Sequence, residues 1–439
     1  MFDSAYTEYD IMSTPYGKDI LKELADACHA EGIGLGIYYS PTDWHHPDFR
    51  TEKHDRYLEY YFNQMRELAT NYGKVDVIWW DAIGFHGEPE MIRSKEMTKM
   101  LRELQPKILL NNRAALVGDF STPENKVGRF EKTRPWESCM TGAGSWGYRP
   151  SPAKSLKKLV HTWVRCAGGN GNFLLNFGPM ADGRFDPKHE ARLRELGDWG
   201  QQYNDTLFDT RGGPYKPSVY GVTTFRDNKV FVHVLNWESK ESLELPALPI
   251  QITASRVITG GEVVVKQDKD GVTVSVAKAD RDPINTIIEL TLAKEAHAVE
   301  PIEVPYISGS LALNKPAKAS SVIFNNMKKK GPVCALDDDI DTAWVADLMQ
   351  RENVWLEVDL EAPIQISRIA IKENHGRTQK FLLQYKNGEE WITFHEGNGI
   401  GNDFKAEVED VTAQHVRILI LKASAGPGIT EFQVFGEKE

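Results

Sequence analysis

One carboxylate stands where the chemistry of an α/β protein is expected. The run from Val75 to Asp81 reads VDVIWWD and follows a break at Gly73. Its β-branched and aromatic residues predict a buried strand. Because parallel α/β sheets gather their chemistry at the carboxyl ends of the strands, Asp81, beside two tryptophans, is a candidate active-site carboxylate. The alternative is a purely structural role, in which Asp81 only caps the loop or helix that follows.

Histidines and cysteines offer a second kind of chemistry, but their spacing does not favour it. His45 and His46 are adjacent on a Pro-flanked loop without further ligands at a recognised spacing, so we predict loop residues near the rim of a site rather than a metal pair. The cysteines lack CxxC spacing, which predicts neither a disulfide framework nor a zinc site. They are Cys28, Cys139, Cys166 and Cys334.

Helices and strands alternate around Asp81 through the first 205 residues. Helical spacing of apolar residues predicts helices over 17–31, 52–72, 89–104, 152–167 and 187–203. Strands are predicted over 33–39, 75–81, 107–111 and 173–177, with a long loop from 114 to about 150 that a fifth strand near 136–140 would interrupt. This order predicts a (β/α)8-type barrel. A closed barrel needs eight strands and about 250 residues, so we expect this one to lack its N-terminal strands.

From about residue 206 the sequence pattern changes to short strand-like runs separated by turns. We predict a multidomain α/β plus all-β protein. Its predicted parts are a barrel over 1–205, an antiparallel β-sandwich over 206–298, a Pro-containing linker over 299–306 and a second β-sandwich over 307–439.

The charge and hydropathy of the sequence disfavour nucleic acids and membranes as partners. The formal net charge of −11 disfavours nucleic acid and anionic membrane surfaces. No apolar run reaches transmembrane length, so membrane insertion is not expected. The oligomeric state stays open.

Five segments of the first 205 residues together resemble glycoside hydrolase family 29, the retaining α-L-fucosidases. They read TPYGKD at 14–19, GLGIYYSP at 34–41, WWD at 79–81, GDFSTPE at 118–124 and GGNGNFLLNFGP at 168–179. Residues 335–344, ALDDDIDTAW, and 431–436, EFQVFG, are similar instead to a discoidin-type (coagulation factor 5/8 type C) carbohydrate-binding module.

The first resemblance implies two catalytic carboxylates and no cofactor. Retaining glycosidases place a nucleophile and an acid/base about 5–5.5 Å apart. Asp81 matches the family nucleophile, and Glu124, in the Thr-Pro-Glu segment, matches the acid/base. Glu137, in Pro-Trp-Glu, is the rival for the second role.

Sugar-binding positions carry over from the family with less weight. Tyr38, Trp44, Trp79, Arg113 and Trp146 are the candidates for contact with the fucose and its surroundings. Taken alone, a tyrosine or tryptophan at these positions is more often a packing residue, and Arg113 could equally belong to a structural ion pair.

The second resemblance implies ligand contacts and a cation site in the module. His375 and Arg377 are the candidate ligand contacts. Hard oxygen ligands that could hold a structural Ca²⁺ cluster at Asp337, Asp339, Thr342 and Glu431, beside Asp338, where relatives often have glycine. The alternative is a turn rich in solvated acids. Trp355 and Trp391 are predicted to be core residues.

One departure from the family concerns the start of the chain. Members carry a His-His-Asp-Gly-Phe segment shortly before the position of Phe2, and this sequence does not contain it. We therefore expect an N-terminally shortened fucosidase whose full-length form is periplasmic or secreted.

The leading hypothesis is a retaining exo-α-L-fucosidase that acts on a fucosylated oligosaccharide or glycoconjugate. The alternative is a catalytically impaired fucosidase-like protein whose module binds carbohydrate.

Overall fold

A computed structural model describes residues 1–81, 89–237, 240–304, 308–339, 342–401 and 404–436. The chain divides into two units, Met1–Val304 and Pro305–Glu439. Two predictions fall partly outside the described residues: the end of the linker, at residues 305 and 306, and residues 340 and 341 of the module motif.

Helices and strands alternate in the first part of the first unit. The helices are α1 (Ile20–Ala30), α2 (His54–Thr70), α3 (Ser94–Leu104), α4 (Leu156–Gly168) and α5 (Pro187–Tyr203). The strands are β1 (Gly36–Tyr39), β2 (Val77–Trp80), β3 (Leu109–Leu110), β4 (Glu137–Thr141) and β5 (Asn172–Asn176). Each predicted helix and strand has a counterpart, although α3 begins five residues later than predicted.

The strands are parallel, as the alternation predicts. They form the sheets β1-β2-β3 and β4-β5. Isolated parallel bridges from Phe120 to Asn111 and from Ser121 to Trp136 connect the two sheets. Among the described residues this run of strands does not close into a ring, so the (β/α)8 barrel stays a prediction.

The predicted loop over 114–150 is more ordered than expected. It contains β4, which corresponds to the fifth strand suggested near 136–140, and the bridging segment around Phe120 and Ser121. Because each bridge joins a single residue pair, the segment shows no alternating apolar pattern from which a strand could be predicted.

Packing against α2 fixes β2. Tyr57, Leu58, Tyr61 and Met65 of α2 are almost completely buried, as are Ile78 and Trp80 of β2. Burial of one such side chain contributes roughly 1.5–3 kcal/mol. This apolar layer holds the strand that immediately precedes Asp81.

Two antiparallel sheets follow in the same unit and share one apolar core. The strands are β6 (Arg211–Gly212), β7 (Gly221–Arg226), β8 (Lys229–Val234), β9 (Ser242–Pro246), β10 (Ile252–Val257), β11 (Val263–Gln267), β12 (Gly271–Val276) and β13 (Thr286–Leu292). The five-stranded sheet has the order β10-β13-β8-β7-β6 and the three-stranded sheet the order β11-β12-β9. This arrangement is a β-sandwich.

His233 of β8 makes this sandwich sensitive to acid. Its side chain is fully buried, 3.0 Å from the Asn285 amide and 3.3 Å from the Thr224 hydroxyl. Burial lowers the pKa of His233 to about 4 from an ordinary 6.5. Between these values the unfolded chain binds a proton that the folded chain excludes, so stability is lost as pH falls from 6.5 towards 4.

We expect His233→Gln to flatten this pH dependence. The free energy of unfolding of the original protein, relative to the variant, should fall by about 2 kcal/mol between pH 7 and pH 5. Urea unfolding at pH 7, 6 and 5 measures the difference. The exposed His297 gives the control, His297→Gln. Parallel pH profiles for the original protein and His233→Gln would contradict the assignment.

The second unit contains one seven-stranded antiparallel sheet. The elements of this unit are β14 (Ala317–Ala319), α6 (Met327–Lys330), β15 (Trp344–Val345), β16 (Val354–Glu373), β17 (Thr378–Asn387), β18 (Glu390–Gly397), β19 (Phe404–Ala423) and β20 (Gly428–Phe435). The strand order in the sheet is β15-β20-β16-β19-β17-β18, and β14 pairs with β16. The long strand β16 is interrupted by register shifts after Asp359 and after Ile366.

The core tryptophan of the second unit is Trp344, which is completely buried. Trp355 and Trp391 were predicted to lie in the core, and this prediction is wrong. Both are half-buried and lie outside the core cluster. Leu356 is in the core, so its neighbour Trp355 points to the opposite face of the sheet.

None of the described helices is both long and apolar enough to cross a membrane.

Candidate active site

Asp81 follows β2 and points to the face of the sheet that carries Tyr38 and Trp79. Tyr38 pairs with Trp79 in the register of β1 and β2. Side chains two residues apart on a strand share a face, so Asp81 follows Trp79. The N–H of Asp81 donates to the carbonyl of Tyr39 at 3.1 Å. Trp80, which points the other way, is buried.

Two donors orient the Asp81 carboxylate. The Tyr38 hydroxyl donates to Oδ2 at 2.5 Å, and Nη1 of Arg113 donates to Oδ1 at 3.1 Å. The Asp81 side chain is only 16% exposed. Tyr38 is 61% exposed as a whole, but partial burial, followed by the hydrogen bond to Asp81, raises its pKa above the ordinary value. Tyr38 therefore remains a protonated donor that fixes the direction of the carboxylate.

Arg113 connects Asp81 to a second carboxylate. Its Nη2 lies 2.9 Å from Oε2 of Glu124, and its Nε donates to the Thr122 hydroxyl at 2.9 Å. The guanidinium also lies over the Trp79 ring, 4.7 Å from its centroid. Burial acts to lower the pKa of Arg113, but its bonds to Glu124 and Asp81 and the neighbouring charges raise it. One permanent cation therefore contacts both carboxylates.

The segment that carries Glu124 is held against β3 by Gly118 and Asp119. Gly118 has φ +64°, and a Cβ at this position would lie 2.4 Å from the carbonyl oxygen of Asn111. Only glycine permits this approach. The Asp119 carboxylate accepts the N–H of Leu110 at 2.7 Å. These contacts place the start of the segment beside the end of β3.

Glu124 lies between Arg113 and Trp146. The indole Nε1 of Trp146 donates to Oε1 of Glu124 at 3.1 Å, while Arg113 contacts Oε2. The Glu124 side chain is 40% exposed. A carboxyl group that reaches solvent on one side can exchange a proton with water or with a departing hydroxyl group, as an acid/base must.

Glu137, the rival acid/base, lies in the same site but makes a different contact. It is the first residue of β4, and its Oε1 accepts the indole N–H of Trp79 at 2.9 Å. Trp79 in turn stacks with Tyr38, with ring centroids 5.8 Å apart. Since Glu124 shares a guanidinium with Asp81, the geometry favours Glu124 as the partner carboxylate.

The structure brings four of the five predicted sugar-binding residues together. Tyr38, Trp79, Arg113 and Trp146 each contact Asp81, Glu124 or Glu137. Trp44 lies on the loop after β1 and is 78% exposed. Within the described residues no hydrogen bond or ring contact joins it to the others.

Sequence reasoning missed Cys139 as a member of the site. This buried residue of β4 places its Sγ 3.4 Å from Nη2 of Arg113. Burial raises the pKa of Cys139 to about 11, so it is a neutral packing partner for the guanidinium. Its position two residues after Glu137 on a predicted strand was the available signal, because both side chains then share one face.

His45 and His46 make contacts other than a shared metal site. The His45 ring stacks on Tyr9 with centroids 4.3 Å apart, and Nδ1 of His46 accepts the N–H of Asp48 at 3.2 Å. Over the part of the chain that the structure describes, no group of three or more His, Cys, Asp or Glu side chains is arranged to hold a metal ion.

Glu431 is the most unusual of the predicted calcium ligands. It is 1% exposed, and neither carboxylate oxygen has a hydrogen-bond partner among the described residues. Burial, followed by the charges of Asp338 and Asp337, raises the pKa of Glu431 to about 8. By contrast with Glu431, Asp337 has a hydrogen-bond partner, because its carboxylate accepts a hydrogen bond from the Thr342 hydroxyl at 2.8 Å. Asp338 has φ +55°, a conformation that glycine adopts without strain.

His375 and Arg377, the predicted ligand contacts of the module, lie in one loop before β17. Burial and then the charge of Arg377 lower the pKa of His375. The Arg377 guanidinium donates to the carbonyl of Gly426 at 2.8 Å. The two side chains are therefore neighbours beside a second loop.

Comparisons with known proteins show which families the two parts of the chain resemble. Residues 1–205 match the family described as Alpha-L-fucosidase, and residues 316–432 match the F5/8 type C domain. The solved structure of α-L-fucosidase isoenzyme 1 from Paenibacillus thiaminolyticus is 33% identical, with a TM-score of 0.59 over 67% of this chain and 80% of that one.

A second solved structure is a trapped covalent intermediate. It is a GH29 α-L-fucosidase from Bacteroides thetaiotaomicron in complex with 2-fluoro-fucosyl fluoride, 28% identical, with a TM-score of 0.58 over 66% of this chain and 75% of that one. Human plasma α-L-fucosidase is 26% identical over 290 residues, which are 59% of this chain and 62% of that protein. The chain thus spans about 62% of the length of this curated relative.

Proposed function

Since this chain belongs to the α-L-fucosidase family, we propose that it is a retaining exo-α-L-fucosidase. It releases terminal α-linked L-fucose from fucosylated oligosaccharides or glycoconjugates. The observation that carries the proposal is the pair of carboxylates, Asp81 and Glu124, that contact one guanidinium, that of Arg113.

In the proposed first step Asp81 is the nucleophile. Its carboxylate attacks the anomeric carbon of fucose, and the bond from that carbon to the glycosidic oxygen breaks. Glu124 gives its proton to the departing oxygen, so the aglycone leaves as a neutral alcohol. The products of this step are a covalent fucosyl-Asp81 ester and an ionised Glu124.

In the proposed second step the roles reverse. Glu124 removes a proton from water, and the water oxygen attacks the anomeric carbon from the side that the aglycone left. The ester bond breaks, Asp81 recovers its charge and Glu124 its proton. Two inversions give net retention of the α configuration. No cofactor takes part in this proposed cycle.

The remaining residues support these steps from their observed positions. Tyr38 and Arg113 orient the nucleophile, and the exposed Trp146 offers an apolar ring face to the sugar. The Trp79 ring already contacts Tyr38 and the Arg113 guanidinium, so its proposed part in sugar binding is to hold these two residues in place. The trapped covalent intermediate of the Bacteroides thetaiotaomicron relative supports a covalent mechanism.

Hydrolysis of 4-nitrophenyl α-L-fucoside tests the proposed activity. We expect release of 4-nitrophenol from the α-L-fucoside and none from 4-nitrophenyl β-L-fucoside. Proton NMR of the first product should show α-L-fucose before mutarotation. Absence of turnover would overturn the enzyme proposal and leave the carbohydrate-binding alternative; β-L-fucose as first product would overturn the retaining mechanism.

For the module we propose sugar binding through His375 and Arg377, together with a structural Ca²⁺ near Glu431. The two oxygens of this buried carboxylate, which have no hydrogen-bond partner in the part of the chain that the structure describes, fit a hard cation. Asp337, Asp339 and Thr342 are the other proposed ligands; in the described residues the acidic side chains are not arranged around one point, so cation binding would have to draw them together.

The calcium proposal predicts a pH-dependent stability. Without Ca²⁺ the folded chain keeps a proton on Glu431 that the unfolded chain releases, so stability falls as pH rises from 4.5 towards 8. Ca²⁺ should cancel this fall, and Glu431→Gln should remove both the fall and the response to Ca²⁺. Thermal unfolding of the full chain in EDTA and in CaCl2, at pH 5 and pH 8, measures both. Equal melting temperatures with and without Ca²⁺ at pH 8 would contradict the site.

A further inference from the structure

We propose that Asn125 is a positioning residue that aims the Glu124 carboxyl group across the active site. Asn125 holds the backbone beside Glu124 in a left-handed conformation against β4. The inference rests on the proposed acid/base function of Glu124 and adds a residue to that function.

The conformation of Asn125 is the first observation. Its φ is +52°, in the left-handed region that most residues with a side chain avoid and that asparagine adopts more readily than most. At this position the chain turns immediately after Glu124. Alanine in the same conformation would be strained, whereas glycine would not.

Hydrogen bonds to β4 fix the backbone on both sides of Glu124. The N–H of Cys139 donates to the carbonyl of Pro123 at 3.1 Å, and the N–H of Asn125 donates to the carbonyl of Cys139 at 2.9 Å. The Asn125 side chain adds a third bond, since its Oδ1 accepts the N–H of Thr141 at 3.3 Å. Glu124 itself forms an isolated parallel β-bridge with Cys139.

These hydrogen bonds to β4 are needed because the Glu124 segment lies outside the regular strands and helices. The Glu124 side chain is 40% exposed, so packing alone does not fix its direction. Its contacts with Arg113 and Trp146 require the backbone to stay at one distance from β4. A displacement of about 1 Å in a catalytic group can cost about 100-fold in rate.

The chemistry of the leaving group separates positioning from a general effect on folding. A sugar hydroxyl departs slowly unless an acid protonates it, whereas 2-chloro-4-nitrophenol departs readily as its anion. Misplacement of Glu124 therefore slows cleavage of a fucosyl disaccharide far more than cleavage of 2-chloro-4-nitrophenyl α-L-fucoside. Loss of folded enzyme lowers both rates equally.

The experiment compares kcat/KM on these two substrates for Asn125→Ala and Asn125→Gly in the full chain. We expect Asn125→Ala to lower kcat/KM about 10- to 100-fold on the disaccharide and less than about 3-fold on the aryl fucoside. Asn125→Gly should recover part of the loss, because glycine accepts the backbone conformation but lacks the bond to Thr141. Asn353 also has a positive φ, +56°, in the second unit, and Asn353→Ala, the matched control, should change neither rate.

Equal losses on the two substrates, or no loss on either, would overturn the positioning role. Glu124→Gln tests the premise separately. If Glu124→Gln lacks the leaving-group dependence, the acid/base assignment fails; if it shows the dependence and Asn125→Ala does not, only the inference about Asn125 fails.

Discussion

Replacement of Asp81 by glycine is expected to lower kcat/KM on 4-nitrophenyl α-L-fucoside by about 10³- to 10⁵-fold. The variant lacks the oxygen that attacks the anomeric carbon, and removal of a nucleophile is among the costliest changes to an enzyme. It also leaves a cavity beside Tyr38 and Arg113, which otherwise hold the carboxylate. A small anion such as azide can enter this cavity and attack in place of Asp81.

Azide therefore provides the decisive readout for Asp81→Gly. We expect azide to restore turnover and to yield β-L-fucosyl azide, since a single inversion replaces two. Asp76 lies at the start of the same run and contacts Lys74 and the backbone of Leu35 rather than the site, so Asp76→Asn serves as the control with near-normal activity. Unchanged activity of Asp81→Gly would reject Asp81 as the nucleophile.

The second large effect is expected for Glu124→Ala, and its size depends on the substrate. On a fucosyl disaccharide kcat/KM should fall by about 10²- to 10⁴-fold, because proton donation contributes in this range. On 2-chloro-4-nitrophenyl α-L-fucoside the first step needs little acid assistance. The second step still lacks its base, so the fucosyl-enzyme accumulates, and both kcat and KM fall together.

Azide also distinguishes the two glutamates. With Glu124→Ala it should attack the fucosyl-enzyme without base assistance and yield α-L-fucosyl azide, the opposite anomer to that from Asp81→Gly. Glu137→Ala is the comparison, because Glu137 lies in the same site and contacts Trp79. If Glu137→Ala gives α-L-fucosyl azide and Glu124→Ala does not, Glu137 rather than Glu124 is the acid/base.

The position of Asp81 was predictable because its strand carries a strong local signal. An apolar run that ends in a carboxylate predicts both β2 and the edge of the sheet at which Asp81 lies. The contact with Tyr38 was not predictable in the same way. It depends on the pairing of Tyr38 with Trp79, and the register of two parallel strands is set by packing across many residues.

The surroundings of Glu124 were harder to predict for a physical reason. Single-residue bridges at Ser121 and Glu124 hold the segment, and they leave no periodic pattern in the sequence. The role of Arg113 as the link between Asp81 and Glu124 likewise needs three segments to meet. The resemblance to a known family, rather than periodicity, identified Glu124.

Labelling with 2-fluoro-fucosyl fluoride tests the central claim most directly. The fluorine at C2 slows both steps of a retaining enzyme, and the good leaving group lets the first step proceed, so a covalent ester accumulates. Intact mass spectrometry should show one added 2-deoxy-2-fluorofucosyl group, and peptide mapping should place it on Asp81. An unlabelled protein that turns over 4-nitrophenyl α-L-fucoside, or a label on another residue, would contradict the account.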